Sequence, residues 1–157
     1  MNTDRVRASL RGLGLEEVVT RHGPVTSLAE AASLRGVAPA DIIKTIVVRR
    51  AADDYLFVLV PGDREFSWPK LRTLLGVNRL SMPDAQTAFE VTGYQRGTIT
   101  PFGSTHPWPV IADASITGRR ISMGGGEPGV SISLDADTMV AALNATVADI
   151  SEPTPAG

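Results

Sequence analysis

Between residues 93 and 129 the chain places eight of its 15 glycines. The stretch contains TGYQRGTITPFG (92–103), PVIADAS (109–115) and MGGGEPG (123–129), with strand-like segments among them. Glycine at that density inside ordered sequence means that main chain must pass very close to something. Upstream, the apolar run IIKTIVV (42–48) carries one lysine, Lys44. Together they suggest a pocket with main-chain N–H groups on one wall and an ammonium on another, suited to a phosphate or a developing oxyanion.

The chain has 157 residues, 43% hydrophobic and 20% charged, the balance of a single globular domain with a full core. No apolar stretch approaches the roughly 20 residues of a membrane helix, and MNTDRVRASLRG lacks the apolar centre of a secretory signal. A cytoplasmic location is the expectation. With no cysteine and two histidines, thiolate chemistry is excluded and a metal cage is poorly supplied, so the protein is expected to work without a metal. A net charge of −2 means that any polyanion is gripped locally. The cations are 13 arginines and two lysines, Lys44 and Lys70.

Residues 3–12 read as an amphipathic helix, LEEVVT (15–20) as a strand, and His22-Gly23-Pro24 as a turn. Ser27 and Glu30 have capping-box spacing for a helix that Gly36 closes. DIIKTIVVR (41–49) and YLFVLVP (55–61) form a hairpin, the second strand apolar on both faces and therefore central. Ser67 caps a helix stopped by Gly76. RLSM (79–82) is strand-like and residues 83–90 helical. Strands are predicted at 98–100, 109–114, 119–123 and 129–134, a helix capped by Asp135 at 136–143, and a β segment at 147–150. The fold class is α+β, one domain over residues 1–150 with a mixed, barrel-like sheet flanked by helices, and residues 151–157 form a disordered tail.

In strand alternation Lys44 shares a face with Ile42, Ile46 and Val48. Burying an unpaired ammonium costs several kcal/mol, which leaves an internal salt bridge, a snorkelling side chain at the core's edge, or a pocket cation. Asp113 needs a partner for the same reason: Lys44, the N–H groups of a neighbouring loop, or a substrate amine.

Taken in order, Lys44 in its apolar strand, a second strand ending in VP, GDREFSWPKL, TGY with GTITPFG, VIADASI, and GGxxG before SISL resemble the YbaK family of aminoacyl-tRNA deacylases. That family includes the editing domain inserted in bacterial prolyl-tRNA synthetases. The resemblance runs from His22 to Ile150. It implies hydrolysis of the ester joining a wrong amino acid to tRNA, with a small amino acid and a tRNA(Pro)-type substrate expected, a synthetase as a further partner, and no cofactor. It makes Lys44 the anchor of the 3′-terminal adenosine through its phosphate and Gly97 to Gly103, with Thr100, Pro101 and Phe102, the lining of the aminoacyl pocket. Asp113 becomes the family's aspartate, and Gly125, Gly126 and Gly129 its second glycine motif.

An aminoacyl ester is already activated, so positioned water and a stabilised oxyanion suffice, without a side-chain nucleophile. Ser104 and His106 lie close in sequence, but no nucleophile elbow surrounds them. The chain departs from the family where Ser104, Thr105, His106, Glu127 and Pro128 replace basic residues. RNA affinity is then expected to rest on Arg49, Arg50, Lys70, Arg72, Arg79, Arg96, Arg119 and Arg120. Two other readings stand beside the deacylase: a non-catalytic RNA- or nucleotide-binding module that works beside a synthetase, and an esterase for a small acyl compound.

Overall fold

Asp54–Pro61 (β3) divides its side chains between two cores, as a strand apolar on both faces must. Tyr55, Phe57 and Leu59 enter the larger core, while Leu56, Val58 and Val60 enter the smaller one. Each fully buried side chain of this kind contributes about 1.5–3 kcal/mol. The computed structural model describes residues 2–16, 18–23 and 27–154. Glu17 and Pro24 of the expected strand and turn, and residues 155–157 of the expected tail, lie outside them.

Helix Asn2–Gly12 (α1) leads to strand Val19–Arg21 (β1), shorter than the six residues expected. Helix Leu28–Arg35 (α2) begins with Ser27 accepting the Glu30 N–H and ends at Gly36 in the left-handed conformation. Strand Ile42–Ala51 (β2) forms the hairpin with β3. Strand Arg64–Phe66 (β4) precedes helix Trp68–Leu75 (α3), capped by Ser67 and closed by Gly76. Helix Ala85–Thr92 (α4) is followed by strands Val110–Asp113 (β5), Arg120–Gly124 (β6) and Val130–Asp135 (β7), helix Ala136–Leu143 (α5), and strands Thr146–Ala148 (β8) and Ser151–Pro153 (β9).

Seven strands form one mixed sheet in the order β1-β7-β6-β2-β3-β5-β8, with β2–β6, β3–β5 and β5–β8 parallel. One face is covered by Val6 and Leu10 of α1, Ala88 of α4, and Ala136 and Met139 of α5. The other carries Leu71 of α3 and Ile150. The α+β reading with a mixed sheet holds.

Four local expectations are corrected. Residues 98–100 form no strand, since the Thr98 N–H and hydroxyl both turn back to the Gln95 carbonyl. RLSM supplies a single bridge, Ser81 to Arg49. Asp135 stands at the start of α5 without a side-chain capping bond, because its carboxylate pairs with Arg120 at 3.4 Å. The tail is ordered through its first residues: β9 pairs with β4 in a second small sheet, and Ser151 is fully buried. Its apolar poverty is offset by main-chain pairing and by Arg64, whose Nε donates to the Ser151 hydroxyl at 2.7 Å.

Candidate functional site

The strand that carries Lys44 loses a neighbour partway along its length. β6 pairs with β2 only at Ile42 and Ile43, and Ser81 meets the same edge at Arg49. Arg49 donates to the Ser81 carbonyl at 2.7 Å and accepts the Ser81 N–H at 3.1 Å, so its main-chain groups point away from β3. By alternation those of Thr45 and Val47 point the same way. Among the described residues no strand pairs with this edge between Ile43 and Arg49.

A cleft of about 360 Å³ opens on that edge. Ile42 to Val47 form its floor, and Met82, Pro83, Ala88, Arg96, Gly97, Ile99, Gly124 and Arg35 complete it. This size suits a nucleoside or aminoacyl group. Three cations, Arg35, Lys44 and Arg96, border it, and no carboxylate, histidine or serine does among the described residues. Two of its polar atoms are buried without a hydrogen-bond partner, Arg35 Nε and the Thr45 hydroxyl. Orphaned buried groups of this kind are rare in folded proteins, and each calls for a partner, whether water, ion or ligand. The Arg35 guanidinium donates to the Ser122 hydroxyl at 3.3 Å, and burial pulls its pKa below the ordinary arginine value.

Lys44 keeps the predicted parity, yet it is exposed rather than buried, although Ile42 and Ile43 just before it are covered. Its ammonium donates to the Arg64 carbonyl at 2.9 Å, which settles the partner question with neither salt bridge nor core burial. An ammonium has three N–H donors, so this bond does not exhaust it.

The glycine loops divide. Gly97 borders the cleft, and its left-handed φ of 92° explains the glycine there. Gly103, Thr100, Pro101 and Phe102 do not line it. Phe102 and Thr100 are fully buried, and the Phe102 carbonyl accepts the Tyr94 hydroxyl at 2.7 Å. The Gly103 carbonyl accepts Arg5 Nη2 of α1 at 2.8 Å, with the Arg5 guanidinium 4.7 Å from the Tyr94 ring centre. Gly125, Gly126 and Gly129 make the tight β6–β7 turn: Gly125 donates to Val130, Gly126 donates to Thr98 and accepts Asn2, and the Gly129 carbonyl accepts the His22 N–H. Close approach is real in both loops, but what approaches is mostly the protein itself. Glu127 accepts the Thr3 hydroxyl of α1.

Asp113 lies outside the cleft. Its carboxylate, 2% exposed, accepts the Ile150 N–H at 3.1 Å, the Ser115 N–H at 3.1 Å and the Ser115 hydroxyl. Burial pushes its pKa up, but bonds from the Ser115 hydroxyl, the Ile150 N–H, the Ser151 hydroxyl and the Ser115 N–H outweigh it and hold the group below the usual carboxylate value. Of the three partners open to it from sequence, the loop N–H groups are the ones found. Ser104 accepts the His106 main-chain N–H at 3.4 Å and also stands apart from the cleft.

Arg96 reaches the cleft, Arg49 and Arg79 do not, and Lys70 is paired with Asp149 at 3.1 Å. Sequence reasoning missed Arg35 and Thr45. Arg35 ends a helix just before its glycine stop, where a basic residue reads as dipole compensation, and nothing in the pattern shows that the helix ends over β6.

Comparison with known proteins matches residues 22–141 to the aminoacyl-tRNA editing domain. Among curated relatives, the proline–tRNA ligase of Heliobacterium modesticaldum is 34% identical over 129 residues, 82% of this chain and 22% of the ligase. That of Bacillus licheniformis is 27% identical over 155 residues, 91% of this chain and 26% of the ligase. The chain thus spans about a quarter of the length of these relatives. A solved structure described as a candidate trans-editing enzyme for prolyl tRNA synthetase matches with TM-score 0.88 at 25% identity, over 96% of this chain and 97% of the other. The crystal structure of a hypothetical protein matches with TM-score 0.85 at 28% identity, over 94% and 99%.

Proposed function

The chain belongs to the aminoacyl-tRNA editing domain family, and on that premise we propose that it hydrolyses the ester of a mischarged tRNA in trans, with the aminoacyl-adenosine end held in the β2-edge cleft. The observation that carries this reading is the cleft's one-sided polarity: three cations and two unpartnered buried polar atoms, with no carboxylate among the described residues. Such a site favours an anion with further hydrogen-bonding groups beside it, as a 3′-terminal nucleotide provides.

In this reading Lys44 and Arg35 hold phosphate, and the outward-facing groups of Thr45 and Val47 with the Thr45 hydroxyl position ribose and acyl oxygens. The ester carbonyl is polarised by main-chain N–H groups at this edge, which stabilise the oxyanion formed as water adds to the acyl carbon. The acyl carbon–ribose oxygen bond then breaks, the ribose oxygen takes up a proton, and amino acid and tRNA leave. No side-chain base borders the cleft among the described residues, so water and the substrate's own amine or vicinal hydroxyl carry the proton. The apolar remainder, Met82, Ala88 and Ile99, suits a small side chain. A hydrophobic wall separates neighbours differing by one methylene by about 1–3 kcal/mol. Similarity to proline–tRNA ligases and to the candidate trans-editing enzyme supports a tRNA(Pro)-type substrate.

A panel of mischarged tRNAs presented to the purified protein and to Lys44→Ala tests this. Release of a small amino acid by the wild type, much reduced in the variant, is expected. The absence of a catalytic base in the cleft also suits the second reading, a module that binds RNA without hydrolysis. Tight binding with no release from any tRNA would decide for that reading.

A further inference from the structure

Of the eight cations expected to grip RNA, Arg96 borders the cleft, and the other seven separate into two groups. Lys70, Arg119 and Arg120 each face a carboxylate, Asp149 at 3.1 Å, Asp41 at 3.6 Å and Asp135 at 3.4 Å. Arg49, Arg50, Arg72 and Arg79 instead converge, with Asn78 and Ser81, on a basin of about 530 Å³ distinct from the cleft. Arg50 is neutralised by Asp54 at 2.9 Å, and Arg49 spends its Nε on the Ala51 carbonyl at 3.3 Å. Arg72 and Arg79 have no carboxylate within ion-pair distance among the described residues. On a chain of net charge −2 this is a local concentration of uncompensated guanidinium, the group best matched to phosphate.

The basin is joined to the cleft by one ridge. Ser81 borders the basin and its neighbours Met82 and Pro83 border the cleft, while Ser81 itself is bridged to Arg49 on β2. Along β2, Lys44 and Arg49 stand five residues apart, about 17 Å of strand, which matches about five stacked nucleotides of one strand. We infer that this arginine basin binds the phosphodiester backbone of the RNA strand whose 3′ end occupies the cleft, some five nucleotides back from that end. The inference rests on the proposed reading of the cleft for its direction.

The test measures affinity for an uncharged acceptor-stem hairpin ending in CCA, and for the CCA trinucleotide, by fluorescence anisotropy across a range of salt. For Arg72→Ala/Arg79→Ala the hairpin is expected to bind at least tenfold more weakly, with the slope of log affinity against log salt reduced by about 1.5–2. The trinucleotide, too short to reach the basin, is expected to lose far less. Arg72→Lys/Arg79→Lys, which keeps both charges, should retain the wild-type slope, and unchanged thermal melting of both variants confirms that they fold. An unchanged hairpin slope, equal losses on hairpin and trinucleotide, or a larger slope change in Arg119→Ala/Arg120→Ala would overturn the inference. Its failure is separable from that of the deacylase reading. An Arg72- and Arg79-dependent slope without release from any mischarged tRNA supports the basin alone, while release with an unchanged slope supports the cleft alone.

Discussion

The Asp113 carboxylate accepts the Ile150 main-chain N–H at 3.1 Å and so ties the end of β5 to the segment between β8 and β9. With Ser115 supplying two more bonds, this buried group acts as a structural clasp. Because its pKa is lowered in the folded state, its stabilisation is present above the unfolded carboxylate value and lost as pH falls through the folded one. Asp113→Asn is expected to reduce stability at neutral pH by about 1–3 kcal/mol, a gap that narrows on acidification. Urea midpoints of both proteins across the acid range check this, and a gap independent of pH would refute it. Any loss of hydrolysis should follow the folded fraction.

Gly103→Ala is expected to be strongly destabilising. At φ 75° an added Cβ would stand 2.6 Å from the Tyr94 hydroxyl and 2.8 Å from the Arg5 carbonyl. The left-handed conformation alone costs about 1–2 kcal/mol for a residue with a Cβ, and α1 must shift to relieve the backbone clash. Gly97→Ala provides the contrast, since its Cβ meets nothing within 4 Å and only the conformational term applies. Thermal melts of the pair should therefore differ clearly, with Gly103→Ala the lower.

These contrasts show which features were legible in sequence. Helix ends at Ser27, Gly36, Ser67 and Gly76 are local chemistry, and β3 declared itself by being apolar at every position from Tyr55 to Pro61. The ordered motifs carried the family. What could not be read was tertiary. A glycine loop looks the same whether a ligand or α1 packs against it, and an aspartate in an apolar strand looks the same whether it meets a substrate amine or the Ile150 N–H. The open edge of β2 depends on where β6 stops pairing, a register that no local pattern encodes. The same limit hid Arg35 and concealed which arginines had carboxylate partners.

Thr45→Val should move stability and activity in opposite directions. The Thr45 hydroxyl is buried without a partner, so its replacement by a methyl of similar shape removes a desolvation penalty of about 1–3 kcal/mol and leaves the fold as stable or more so. If the hydroxyl serves the bound nucleotide or ester, hydrolysis of mischarged tRNA falls. A urea titration and a deacylation time course on the same preparation read both. Unaltered hydrolysis would remove Thr45 from the site.

Lys44 and Arg35 are expected to share one task from different elements, β2 and the end of α2. Each contributes a charge-assisted bond to phosphate of about 1.5–3 kcal/mol, so Lys44→Ala and Arg35→Met should each lower kcat/KM on mischarged tRNA by about tenfold to a hundredfold. Because both face one anion, the double variant should lose less than the product of the single losses. Lys44→Arg should recover only part of the activity, since a planar guanidinium cannot reproduce the point charge of an ammonium. Steady-state kinetics of the four variants test the pairing, and strictly multiplicative losses would show that the two cations act on separate groups.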